Sequence, residues 1–361
     1  MREDREAERR RPSTGWLAGL ADLSPTYFGL VMATGIVSLA ASMMGYPRLG
    51  YGLFYLNIVQ YAALWLLYAM RAWRFPRRFF GDMAAHLTGP GYLTTVAGTC
   101  ILSSQFMLQQ ENLPVAYILW LLAIALWIGL TYAIFTALIV TREKPPLSRG
   151  IDGGWLLTVV ASQALAVSGG LLATHAAQPY RLEMNLLALV MWLLGGMQYV
   201  WITVLIFYRY TFFRFSPRDL VPPSWINMGA TAISTLAGSV LIQNAPDAPV
   251  LDSLLPFIKG FTLLSWATGT WWIPLLLSLE AWRHVRERVP LVYDAPYWGA
   301  VFPLGMYAAS TWEMQHAMEL DLLAGLARIF LYIALVAWTV TFAGMLRAVM
   351  RQLRERPATI R

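Results

Sequence analysis

The chain has very few of the residues from which enzyme sites are usually built. It contains a single cysteine, Cys100, set inside an apolar run, so neither a disulfide framework nor a cysteine-based metal site can form within one chain. The four histidines, His86, His175, His284 and His316, form no ligand-spaced pair on one helix, so no zinc or other metal is expected. Charged residues make up only 13% of the sequence, and no chain of Asp, Glu or His within the apolar runs suits a proton relay. That sparseness favours passive or weakly coupled permeation over pumping and offers no cofactor site. Catalysis needs a nucleophile, a metal or acid–base groups placed together. A membrane-embedded enzyme or sensor acting on a lipid or quinone therefore stands only as the alternative reading.

What the sequence has in abundance is apolar surface. Of 361 residues 58% are hydrophobic, and the mean hydropathy is +0.52, far above that of a soluble domain of this length. The formal net charge of +7 would suit nucleic acid, but the Lys and Arg fall in short clusters between apolar runs and read as topology signals. The lipid bilayer is the expected partner, and nucleic acid is not. Runs long enough to span, at about 20 residues each, number ten: 24–44, 50–70, 89–109, 115–140, 153–174, 183–208, 224–244, 255–279, 294–316 and 322–346. The expected organisation is an N-terminal cytoplasmic tail (1–22), a ten-helix membrane domain (23–347) and a C-terminal cytoplasmic tail (348–361). The first 20 residues carry no short apolar core with a cleavage site, so a secretory signal is not expected there.

The basic residues set the orientation. Alternate connections hold Arg71, Arg74, Arg77 and Arg78; Arg142, Lys144 and Arg149; Arg209, Arg214 and Arg218; and Arg283, Arg286 and Arg288. The other connections hold Arg48 and Arg181 and otherwise acids such as Glu111, Asp247, Asp252, Glu319 and Asp321. An even number of crossings, with both ends in the cytoplasm of a plasma or inner membrane, satisfies the positive-inside rule throughout.

A second pattern alternates between spans. Odd spans open with Pro or Gly followed by an aromatic residue: Pro25 with Tyr27, Pro90 with Tyr92, Gly154 with Trp155, Pro223 with Trp225, and Pro296 with Trp298. Their recurrence once per helical hairpin suggests a fivefold internal repeat. Odd spans are rich in small and hydroxyl residues, which let backbones approach closely, whereas even spans carry large side chains suited to lipid. The fold expected is all-α and membrane-integral: five hairpins, with five odd helices forming an inner ring around a pore and five even helices outside. Hydroxyls at helical spacing nominate Thr34, Ser38, Thr95, Thr99, Thr158, Ser162, Thr231 and Thr235 as pore-lining, although Ser and Thr in such helices also bond their own backbone. No ring of acidic side chains of the kind that selects cations is present. Lys259 and Arg328 are the main ionisable residues inside spans and the candidates for attracting anions; each is also near enough to a helix end to snorkel.

The ninth span, DAPYWGAVFPLGMYAASTWEMQ, places Phe302 beside Pro303 and Gly305 near its middle, a bulky ring next to a helix defect. Here the residues reach a known family. LSPTYFGLVMATGIVS, AGTCIL and PYWGAVFPLG resemble the tellurite-resistance/C4-dicarboxylate transporter family, which includes the plant slow-type anion channels. The resemblance implies a homotrimer whose subunits each hold a pore of five inner helices, closed near mid-membrane by one phenylalanine. Trp298, Phe302 and Pro303 match the family's gate motif, with Gly305 on the pore wall. It also implies a small anion or C4-dicarboxylate as substrate, malate, chloride, nitrate, sulfite and tellurite being associated with the family. Long phosphorylatable tails like those of the plant channels are absent, so kinase control does not carry over.

Overall fold

The computed structural model describes residues 16–354; most of the two expected tails lies outside the described residues. Among those described, ten helices of 15 residues or more follow one another: α1 (Gly29–Met43), α2 (Pro47–Arg74), α3 (Thr94–Gln110), α4 (Leu113–Val140), α5 (Leu157–Ala173), α6 (Tyr180–Phe212), α7 (Ile226–Asn244), α8 (Leu255–Ala281), α9 (Trp298–Met318) and α10 (Ala324–Arg354). Counted with the turns that lead into them, seven of the ten are long and apolar enough to cross a membrane. The other three are α3, α8 and α9. Helices α3 and α9 are buried along most of their length, so their Thr, Ser and Gln need not face lipid.

Packing divides the ten into two sets. Helices α1, α3, α5, α7 and α9 touch in the closed order α1, α3, α5, α7, α9, α1, and each also packs on the helix that follows it in sequence. Among the seven apolar spans, the inner ones have 78–100% of their apolar window buried, and the outer ones 17–50%. Small residues make that close inner packing sterically affordable: a Cβ on Gly229 of α7 would lie 2.7 Å from Cγ of Pro303, and one on Gly305 would lie 3.0 Å from methyls of Ile36 and Val37 on α1.

The Pro/Gly-aromatic motifs have a common local structure. Each inner helix is entered through a 3-10 turn: Pro25–Phe28, Gly89–Leu93, Gly153–Leu156, Pro222–Trp225 and Ala295–Tyr297. Proline at the first positions suits such a turn, because the N–H it lacks has no helical partner there. The five turns contact one another in a closed ring, so the inner helices run parallel with their N-termini at one end. The contact is backbone-tight at Gly153, where a Cβ would stand 2.0 Å from the carbonyl oxygen of Pro223.

Several basic residues read as topology signals are also spent holding this ring. Arg71, 3% exposed at the end of α2, donates to the carbonyl of Ala21 and to the hydroxyl of Tyr92, and pairs with Asp82. Arg209, at the end of α6, bonds the carbonyl of Ile151 and the carboxylate of Asp219, tying the approaches to α5 and α7 together. Partial burial alone would raise the Asp219 pKa, but hydrogen bonds from Ser216 and the charge of Arg209 outweigh it and hold the carboxyl below its ordinary value. Arg283 donates to the carbonyl of Leu220. Helix α10 runs on to Arg354, past the expected end of the last span at 346.

Candidate functional site

The axis of the inner ring holds two cavities, each lined by all five inner helices or their leading turns. The larger, about 380 Å³, lies between the C-terminal halves and is walled by Ile36 and Ser42 of α1, Cys100, Ser104 and Gln109 of α3, Ala164 and Ser168 of α5, Ile233 and Gln243 of α7, and Met306 and Glu313 of α9, among others. The smaller, about 20 Å³, lies at the ring of turns and is bounded by Thr26, Met32, Thr94, Leu157, Ile226, Trp298 and Phe302.

Between the cavities the axis is closed. Going from the smaller to the larger, the lining moves from Met32 to Ile36 on α1, from Leu157 to Ala164 on α5, from Ile226 to Ile233 on α7 and from Phe302 to Met306 on α9. Those steps of one to two turns make the closed stretch roughly 6–10 Å thick at 1.5 Å per residue. At helical spacing the same stripes pass through Ala97, Ala161 and Ala230, all fully buried. Those three positions carry only a methyl, while Phe302, 1% exposed, brings a ring to the edge of the closed stretch beside Met32, Leu157 and Ile226. Pro303 follows it without interrupting α9, and Trp298, one turn before, is fully buried with its indole N–H on the hydroxyl of Tyr293 at 3.3 Å.

The hydroxyls nominated from spacing are placed differently. Neither cavity is lined by Thr34, Ser38, Thr95, Thr99, Thr158, Ser162, Thr231, Thr235 or Gly305. Thr34 accepts from the indole of Trp338 on α10, Thr99 meets the hydroxyl of Tyr61 on α2, and Ser162 bonds Gln198 on α6 and Trp127 on α4, so these three are directed at the outer helices. Ser38 reaches the carbonyl of Gly50 on α2 and Gln109 on α3. Thr95, Thr158, Thr231 and Thr235 each donate to a carbonyl three or four residues back, and a Cβ on Gly269 of α8 would crowd Thr231. Lys259 and Arg328 are exposed on α8 and α10, with the Arg328 guanidinium 5.8 Å over the ring of Trp312. Neither lines a cavity.

The polar groups that do face the larger cavity were missed by the sequence reading. Ser104 and Ser168, on facing helices, have their hydroxyl oxygens 3.2 Å apart, each within reach of the carbonyl of Cys100. Gln109 donates to Ser42 at 2.7 Å, and its oxygen lies within 3.5 Å of Gln105, whose own oxygen accepts from the buried Asn57 at 2.7 Å. Glu313 accepts from Gln243 at 2.9 Å. Rotatable hydroxyls and amides on an otherwise apolar wall can replace part of an ion's hydration without holding it tightly.

Residues 22–346 match the model of the voltage-dependent anion channel family. The chain is 39% identical over 148 residues to an uncharacterized membrane protein of Mycobacterium tuberculosis, covering 41% of this chain and 75% of that one. An uncharacterized transporter of Methanocaldococcus jannaschii is 22% identical over 300 residues, 81% of this chain and 84% of its own. A sulfite efflux pump of Arthroderma benhamiae is 24% identical over 367 residues, covering 93% of each chain.

Proposed function

This chain belongs to the voltage-dependent anion channel family, and from that premise we propose that it passes small anions outward along the axis of its five inner helices, through a path closed at Phe302. The observation that carries the reading is the pair of cavities on one axis, both walled by all five inner helices and separated by a closed stretch of roughly two turns or less. An apolar ring across so narrow a path excludes water as well as ions. A relative named as a sulfite efflux pump supports a sulfite-like anion as one substrate; malate and tellurite belong to the wider set to be tried.

Purified protein in liposomes tests the reading. Chloride, nitrate, hydrogen sulfite, malate and tellurite fluxes are measured in parallel, and flux of at least one above protein-free vesicles is expected. Protein that is folded yet silent to all five would end it.

In this reading all ten helices cross the membrane as five hairpins, with the ring of turns and both chain ends on the cytoplasmic side. Parallel inner helices then turn five positive dipole ends toward the cytoplasmic mouth, where anions arrive. In a Cys100→Ala background of sealed cells, a cysteine at Asp247 is expected to react with an impermeant thiol reagent added outside, whereas cysteines at Arg77, Arg149 and Arg286 are expected to stay protected. Labelling of the latter three would invert the topology.

The reading extends to a homotrimer in which outer helices meet and each subunit keeps its own path. Trimers are expected in native mass spectrometry, and a monomer with full flux would refute an obligatory assembly.

A further inference from the structure

The wall of the larger cavity carries one ionisable carboxylate and no Lys, Arg or His. Glu313 stands on the last turns of α9, half-buried, and accepts at 2.9 Å from the exposed Gln243 of the neighbouring inner helix, which places the acid at the rim of the cavity. Two basic groups at this end of the molecule are engaged elsewhere: Arg328 lies over the ring of Trp312, and the ring nitrogen of His316 is tied to the Trp312 carbonyl at 2.7 Å. Helix polarity adds to the effect, because all five inner helices present their C-terminal, negative ends at this mouth.

A carboxylate at the mouth of an anion path calls for an explanation, since it opposes the traffic. We infer that Glu313 is a valence filter: it tolerates small monovalent anions and rejects divalent ones. Repulsion from a fixed charge scales with the charge of the passing ion, so a divalent anion feels twice the penalty of a monovalent one. In a wet, partly screened mouth that difference amounts to a discrimination on the order of fivefold to tenfold. The polar groups further in, Ser104, Ser168 and Gln109, donate neutral hydrogen bonds and offer no countercharge to a dianion. Among weak acids the filter selects the singly ionised form, hydrogen sulfite over sulfite and a monoanion over a dicarboxylate. This inference rests on the proposed anion path and narrows its substrate class.

The test compares sulfate and chloride flux through wild type, Glu313→Gln and Glu313→Asp in liposomes. Wild type, slow because its path is closed at Phe302, should still pass chloride faster than sulfate; Glu313→Gln should raise the sulfate-to-chloride ratio about fivefold or more, and Glu313→Asp should keep it within about twofold of wild type. The ratio is insensitive to the amount of folded protein, so a destabilised variant still reads it. Chloride flux with an unchanged ratio in Glu313→Gln would overturn the filter and leave the path standing. Folded wild type that conducts neither ion, nor any of the other anions, would remove both.

Discussion

Replacing Phe302 with alanine is expected to raise anion flux at least about tenfold, because moving an ion into a poorly hydrated constriction costs several kcal/mol and each 1.4 kcal/mol removed is a factor of ten in rate. The structure gives the substitution room to act. One turn further along α3, α5 and α7 the cavity-lining stripes carry only alanines, Ala97, Ala161 and Ala230, so the chains that could swing into the vacated volume are Met32, Leu157 and Ile226, which bound the smaller cavity beside Phe302. Phe302→Leu, which keeps a branched apolar group on the axis, should give a smaller increase. The competing role for the ring is packing alone. Truncating a buried phenylalanine costs ~3–5 kcal/mol when its only work is to fill space, which would lower the melting temperature and leave flux flat. Measuring melting and current on the same purified variant separates the two: a destabilised, folded and still silent Phe302→Ala would take the residue out of the gate.

The second large effect is expected at Gly153, in the ring of turns. Its Cβ would fall 2.0 Å from the carbonyl oxygen of Pro223 and 2.6 Å from the carbonyl carbon, so alanine collides with backbone and not with a side chain that could rotate away. Relief requires separating two of the five turns that close the ring at the N-terminal ends of α5 and α7. Overpacking of this kind costs about 3 kcal/mol, and Gly153→Ala should lose several degrees of thermal stability and much of its folded yield. Gly260→Ala is the control, since nothing lies within 4 Å of the added methyl on α8. Equal melting temperatures for the two variants would show that the ring of turns yields without cost.

The sequence was legible where burial and lipid leave different marks. Segments such as VVASQALAVSGG and MGATAISTLAGS are small-residue stretches because they are surrounded by protein, and they are the buried helices; YILWLLAIALWIGLTYAIF has large side chains, few of them buried. The Pro/Gly-aromatic signature marked the five turns, because proline at the first helical positions has a local physical cause. The face turned to the axis was not legible. An inner helix is buried on all sides, so polarity does not distinguish the side facing the path from the side facing an outer helix, and Thr34, Thr99 and Ser162 bond outward. The cavity stripe, Ile36 to Leu39 to Met43 on α1 or Ile233 to Leu236 to Val240 on α7, looks in sequence like ordinary core. Glu313 was overlooked for a related reason: at a helix end an acid reads as a solvated boundary residue, and only the packing of α9 against α7 brings it to the rim. The arginines read as charge signals also have a local structural cause, since Arg71 and Arg209 bond the carbonyls of Ala21 and Ile151 just ahead of the turns that open the inner helices.

That anions cross on the axis of the five inner helices is tested most directly through Cys100, the chain's own and only cysteine, which stands on the wall of the larger cavity. Current through Phe302→Ala is recorded in liposomes before and after treatment with a small methanethiosulfonate, with mass spectrometry confirming the adduct. A path on this axis predicts that the adduct suppresses most of the current, and that Phe302→Ala/Cys100→Ser is indifferent to the reagent. Undiminished current through protein fully modified at Cys100 would contradict it, because ions would then be crossing somewhere other than between these helices.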